Sequence, residues 1–101
     1  MSHYARRTDL NHTDIVDALR LRGHRVQSLA SCGGGVPDLL VGTAPRFGRR
    51  LLLLEVKGKR NKRGDSKRLT EAQAEWHAEW RGYRIHTATS IEEAIDACEG
   101  E

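Results

Sequence analysis

Asp38, Glu55 and Lys57 are the residues of this chain whose types and spacing could do chemistry. They sit in two apolar stretches, Val36-Pro37-Asp38-Leu39-Leu40-Val41-Gly42 and Leu51-Leu52-Leu53-Leu54-Glu55-Val56-Lys57, with Gly33-Gly34-Gly35 leading into the first. Side chains alternate faces along a strand, so Glu55 and Lys57 share one face while Leu52, Leu54 and Val56 share the other. A second strand opens at Asp38 and runs to Val41. The connection over residues 42–50 has hairpin length and Gly, Pro and Gly punctuation, so pairing of the two strands would set Asp38 beside Glu55. Two adjacent carboxylates repel and are stable mainly with a cation between them. Oxygen ligands favour a hard ion, Mg2+ or Mn2+, and Lys57 would hold a water or a phosphate oxygen next to it. The same spacing also suits a plain Glu55–Lys57 ion pair and a solvated carboxylate at a strand end. The apolar surroundings weigh toward the cation, because buried charges are costly unless paired or metal-bound.

The elements that must position these groups follow from periodicity and capping. Asn11 caps a helix whose apolar stripe is Ile15, Val16 and Leu19 and which ends near Gly23. A strand spans residues 25–29, the glycine loop covers 33–35, and Pro37 is tolerable at the start of the Asp38 strand. The run from Leu51 to Lys57 predicts a strand covered on both faces. Thr70 caps a second helix carrying Ala72, Trp76 and Trp80 at helical spacing, which predicts core packing of the aromatics rather than a base-stacking platform. Thr70 and Gln73 form a capping box that explains Gln73 without chemistry; His77, on the same face, reads as a surface histidine. A strand over 83–87 follows. Ser90 and Glu93 then box a last helix with the stripe Ile91, Ala94, Ile95 and Cys98. The predicted class is α/β, in the order αβββαβα, with a mixed sheet flanked by helices.

Composition narrows the function classes. A chain of 101 residues has room for one domain. With 17 Lys and Arg against 14 Asp and Glu the net charge is +3 and the pI near 9.2, a modest pull toward a polyanion. The distribution is sharper than the total. Lys59, Arg60, Lys62, Arg63, Lys67 and Arg68 face Asp65 alone, which predicts a mobile basic loop over 58–68, and residues 1–8 read as a flexible leader. Cys32 and Cys98 lack Cys-x-x-Cys spacing, which argues against a zinc site and a disulfide framework. No apolar stretch has membrane-spanning length and the amino end lacks a signal-peptide core, so no membrane partner and a reducing, cytoplasmic setting are expected.

The ordered motifs resemble the VRR-NUC family of the PD-(D/E)xK nucleases, in particular its small stand-alone proteins from phages and bacteria. The resemblance covers about residues 9–97. It rests on Val36-Pro37-Asp38-Leu39-Leu40-Val41-Gly42 after the glycine loop, on Leu54-Glu55-Val56-Lys57, and on Leu69-Thr70-Glu71-Ala72-Gln73 opening a helix. It implies a restriction-endonuclease-like core and a divalent-metal-dependent deoxyribonuclease. Asp38, Glu55 and the Val56 backbone carbonyl would hold Mg2+ or Mn2+, and Lys57 would position the attacking water. Gln73 would orient that water or the lysine, and the basic loop would lie beside the scissile phosphate, binding backbone without reading sequence. Homodimers that cut branched, Holliday junction-like DNA are implied as well. The first helix departs from the pattern Asp-x-Asn-Glu-x-Glu-Ile-Val: here Asp9-Leu10-Asn11-His12-Thr13-Asp14-Ile15-Val16 sets His12 at the first Glu and Asp14 at the second. His12 would suit Mn2+ better than Mg2+, and Asp14 serves either the metal or the helix dipole. The change keeps open a nucleic-acid-binding module that has lost catalysis. A nuclease subunit of a larger replication or packaging assembly is the other alternative.

Overall fold

A computed structural model of the protein describes residues 4–58 and 69–100, with side chains from residue 11 onward. The order is α1 (Tyr4–Leu21), β1 (Arg25–Ser28), β2 (Leu39–Gly42), a 3-10 turn (Pro45–Phe47), β3 (Leu51–Val56), α2 (Glu71–Glu79), β4 (Ile85–Ala88) and α3 (Ile91–Glu99). This is the predicted αβββαβα succession. The four strands form one mixed sheet in the order β1-β2-β3-β4, antiparallel except for the parallel β3–β4 pair. A parallel neighbour needs a crossover, and α2 lies within it.

The core occupies one face of this sheet. Pairing of Leu39 with Leu54 and of Val41 with Leu52 aligns four apolar side chains, and Val56 and Ala88 extend the patch. Ile15 and Leu19 of α1 and Ala94 and Cys98 of α3, each pair four residues apart on its helix, close over it. Burial of each large aliphatic side chain there contributes roughly 1.5–3 kcal/mol. Gly23, at φ 95°, carries the chain out of α1 in a conformation that other residues resist.

Several expectations are corrected. Helix α1 begins at Tyr4, so Asn11 is not its cap, the leader is helical from Tyr4, and the exposed Asp14 lies too deep in the helix to serve its first turn. Residues 1–3 fall outside the described residues. Strand β3 is not covered on both faces: Leu51 is 68% exposed and Leu53 half-buried, because the short α2 covers only the Glu55 end. Ala72, Trp76 and Trp80 are not core, since α2 buries no residue. Trp76 and Trp80 instead stack on each other, with ring centroids 4.8 Å apart, and Trp80 leans on the exposed Tyr83. In α3, Ser90 accepts the Glu93 N–H, but the Glu93 carboxylate accepts from the Thr89 N–H and hydroxyl, so the box is not reciprocal. Among the described residues no helix is long and apolar enough to cross a membrane.

The two ends of the sheet differ in chemistry. At the β1 start, His24 is buried, its Nδ1 accepting the Ala44 N–H at 3.0 Å and its Nε2 meeting Glu99 at 2.7 Å. Arg22 grips the same carboxylate through two bonds of 2.6 Å. These contacts tie both terminal helices to the sheet.

Candidate active site

The β2–β3 register builds the other end. Leu39 opposes Leu54, so the preceding Asp38 stands across from Glu55, on the face away from the core. Asp38 lies just before β2 rather than inside it, which frees its side chain: Oδ2 accepts the Val56 N–H at 2.7 Å. Continuing the register sets Pro37 opposite Val56. Proline has no N–H, so the Val56 carbonyl, on the same side of the strand as its N–H, receives no ladder donor from that position.

Glu55 is 1% exposed, buried beneath α2. Gln73 Nε2 donates to its Oε2 at 3.1 Å, whereas no donor reaches the buried Oε1. Loss of solvent, followed by the hydrogen bond and negative charge of Asp38, pushes the Glu55 carboxyl up to about 8, and the Lys57 ammonium only partly opposes this. Burial and the neighbouring Asp38 thus favour the protonated form of Glu55 when no cation is present.

Lys57 Nζ donates to Gln73 Oε1 at 2.7 Å. Its backbone is held from two sides, the N–H donating to Ala88 and the carbonyl accepting from Asn11 Nδ2 at 2.8 Å. Gln73 has two structural attachments at once. It completes the capping box with Thr70 and links Lys57 to Glu55. The glycine loop fixes this helix from the other side. Gly35 has φ +84°, and a Cβ there would collide with the Ala72 carbonyl, so the loop can abut the first turn of α2 only as glycine.

The remaining candidates divide. His77, expected at the surface, is instead only 20% exposed and points its Nε2 at Glu55 Oε1 from 3.8 Å, beyond hydrogen-bond range. Desolvation, reinforced by the Lys57 charge, lowers its pKa. His12 follows Asn11 and also has a buried Nε2 without a partner. Asp14 is exposed on α1. Lys59, Arg60, Lys62, Arg63, Lys67 and Arg68 lie outside the described residues. Sequence reasoning missed Asn11 and His77 as site neighbours. His77 carried a signal in its spacing of four from Gln73, and Asn11 one in its match to the Asn of the first-helix pattern.

Among the described residues, no three His, Cys, Asp or Glu side chains are grouped so as to hold a metal ion by themselves. No family model, curated protein or solved structure matches this chain. Fold and site together define a mixed α/β domain with a buried Glu55 beside a part-buried Asp38, a lysine and a bridging glutamine at one sheet end.

Proposed function

We propose that the protein is a divalent-metal-dependent nuclease that hydrolyses phosphodiester bonds in DNA, on a restriction-endonuclease-like core. The observation that carries this reading is the buried Glu55, set against Asp38 with one oxygen undonated and linked through Gln73 to Lys57. Two crowded carboxylates and a carbonyl facing a proline fit a hard cation, which would remove their repulsion. Asp38, Glu55 and the Val56 carbonyl would hold Mg2+ or Mn2+, and the ion would neutralise phosphate charge and acidify a bound water. Asp38 fixes the end of β3 through the Val56 N–H. Gln73 holds the Lys57 ammonium on the Glu55 face, where it can steady the negative charge that develops on the phosphate oxygens. Branched DNA as substrate and a homodimer with paired sites belong to the same proposal and rest on the sequence motifs.

The test is incubation of the protein with branched, flap and linear DNA in Mn2+, Mg2+ or EDTA. Cleavage that needs the metal and disappears in Glu55→Ala and Lys57→Ala is expected; cleavage surviving either change would remove these residues from the site. A second reading, a DNA-binding module without catalysis, is favoured by the want of three metal-ligating side chains grouped among the described residues. Retention of branched DNA with no cutting in either metal would select it.

A further inference from the structure

Four buried side-chain atoms among the described residues lack a hydrogen-bond partner, and two of them, Glu55 Oε1 and His77 Nε2, face each other across 3.8 Å. That distance is too long for a hydrogen bond, and each atom forgoes the partner that buried polar groups normally find. Metal–oxygen and metal–nitrogen bonds of about 2.0–2.2 Å let one ion link atoms up to roughly 4.3 Å apart. The gap is thus the right size for an ion shared by these two atoms; Asp38, Glu55 and His77 are not grouped closely enough to hold it by three side chains alone, so the Val56 carbonyl and water would complete its shell.

We propose that His77 Nε2 is a nitrogen ligand of the cation held at Glu55, and that it biases the site toward Mn2+ and other first-row transition ions over Mg2+. This inference rests on the proposed cation site but goes beyond it. Imidazole binds first-row transition ions well and Mg2+ poorly, so one nitrogen among oxygens changes selectivity more than total affinity. The geometry is built rather than incidental. His77 lies one turn after Gln73, so the glycine-loop contact and the capping box that fix Gln73 over Glu55 also fix His77 there. His77 is part-buried, and glutamine or asparagine in its place keeps a polar side chain of similar reach there.

Mn2+ loaded below stoichiometry into the full chain and examined by pulsed electron paramagnetic resonance tests this directly, because a coordinated imidazole leaves a 14N modulation on the echo. Wild type should show the modulation, His77→Gln should lose it, and His12→Gln should keep it. Calorimetric titration should show Mn2+ affinity falling on the order of tenfold in His77→Gln while Mg2+ affinity changes less than about twofold. Circular dichroism on each variant checks the fold, and His77→Asn is a second replacement should the glutamine bind metal through its own carbonyl. Mn2+ that binds in a Glu55-dependent way with no nitrogen modulation, or with modulation lost only in His12→Gln, overturns the His77 assignment and leaves the nuclease reading standing. Absence of any Glu55-dependent Mn2+ binding overturns both.

Discussion

Glu55 and Glu99 are two glutamates at opposite ends of one small sheet, and the fold treats them in opposite ways. Glu99 receives two bonds from Arg22 and one contact from His24, and those hydrogen bonds, Arg22's first, hold its carboxyl down at about 2. Glu55 is more deeply buried, takes a hydrogen bond from a neutral amide and lies within hydrogen-bonding reach of another carboxylate, Asp38, and its carboxyl is pushed up to about 8. One end is satisfied and closes the structure. The other is left short of positive charge, which a domain of marginal stability tolerates where a ligand or a reaction makes up the difference.

Replacing each glutamate by its neutral amide should separate the two roles. Glu55→Gln should abolish metal-dependent cleavage, a loss on the order of a thousandfold, while raising the melting temperature of the metal-free protein, because a buried acid that resists ionisation is removed. Glu99→Gln should lower the melting temperature and leave cleavage nearly unchanged. A Glu55→Gln protein less stable than wild type without metal would mean that the carboxylate pair is structural.

Next in size is Gly35→Ala, which forces α2 away from the loop and carries Gln73 and His77 off Glu55. Cleavage should fall by roughly a hundredfold, as expected for a misplacement of about 1 Å, with core packing retained in near-ultraviolet dichroism. At the Glu99 end, His24→Ala should cost about 2–4 kcal/mol in urea unfolding, since it leaves a cavity, an unpaired Ala44 N–H and a weakened clasp.

The last contrast is in pH, where the two carboxyls have opposite signs. Glu55 has a folded pKa above its unfolded value, so its favourable contribution is complete below about 4.5 and is lost as the pH rises through about 8. Glu99 has a folded pKa below its unfolded value, so its contribution is complete above about 4.5 and fades as the pH falls through about 2. Thermal melts of the metal-free protein should therefore decline toward pH 8 in wild type but not in Glu55→Gln. Saturating Mn2+ should reverse that decline.

The primary structure announced much of this end of the molecule. Period-two alternation and an apolar run ending in Glu55-Val56-Lys57 set the acid and the amine on one face, and a hairpin-length connection after Asp38-Leu39-Leu40-Val41 brought the second acid opposite. Thr70 and Gln73 announced the start of α2. Such signals are local, and local geometry is what sequence spacing encodes. The errors share a cause. Trp76 and Trp80 have the spacing of a core stripe, but the surface under α2 is Glu55 and Lys57, so the polar face of the helix turns inward and the rings stack outside. Asn11 has the composition of a cap, yet α1 starts earlier and its amide reaches the end of β3 instead.

Residue order by itself therefore determined the succession of elements, the faces of the strands and the identity of the paired acids, all properties of neighbours along the chain. Tertiary structure decided which helix face meets the sheet, that Gly35 must yield to the Ala72 carbonyl, that Glu55 keeps an undonated oxygen, and that His77 points at it. Those outcomes depend on burial and charge shared among segments distant in sequence, and no spacing rule carries that information.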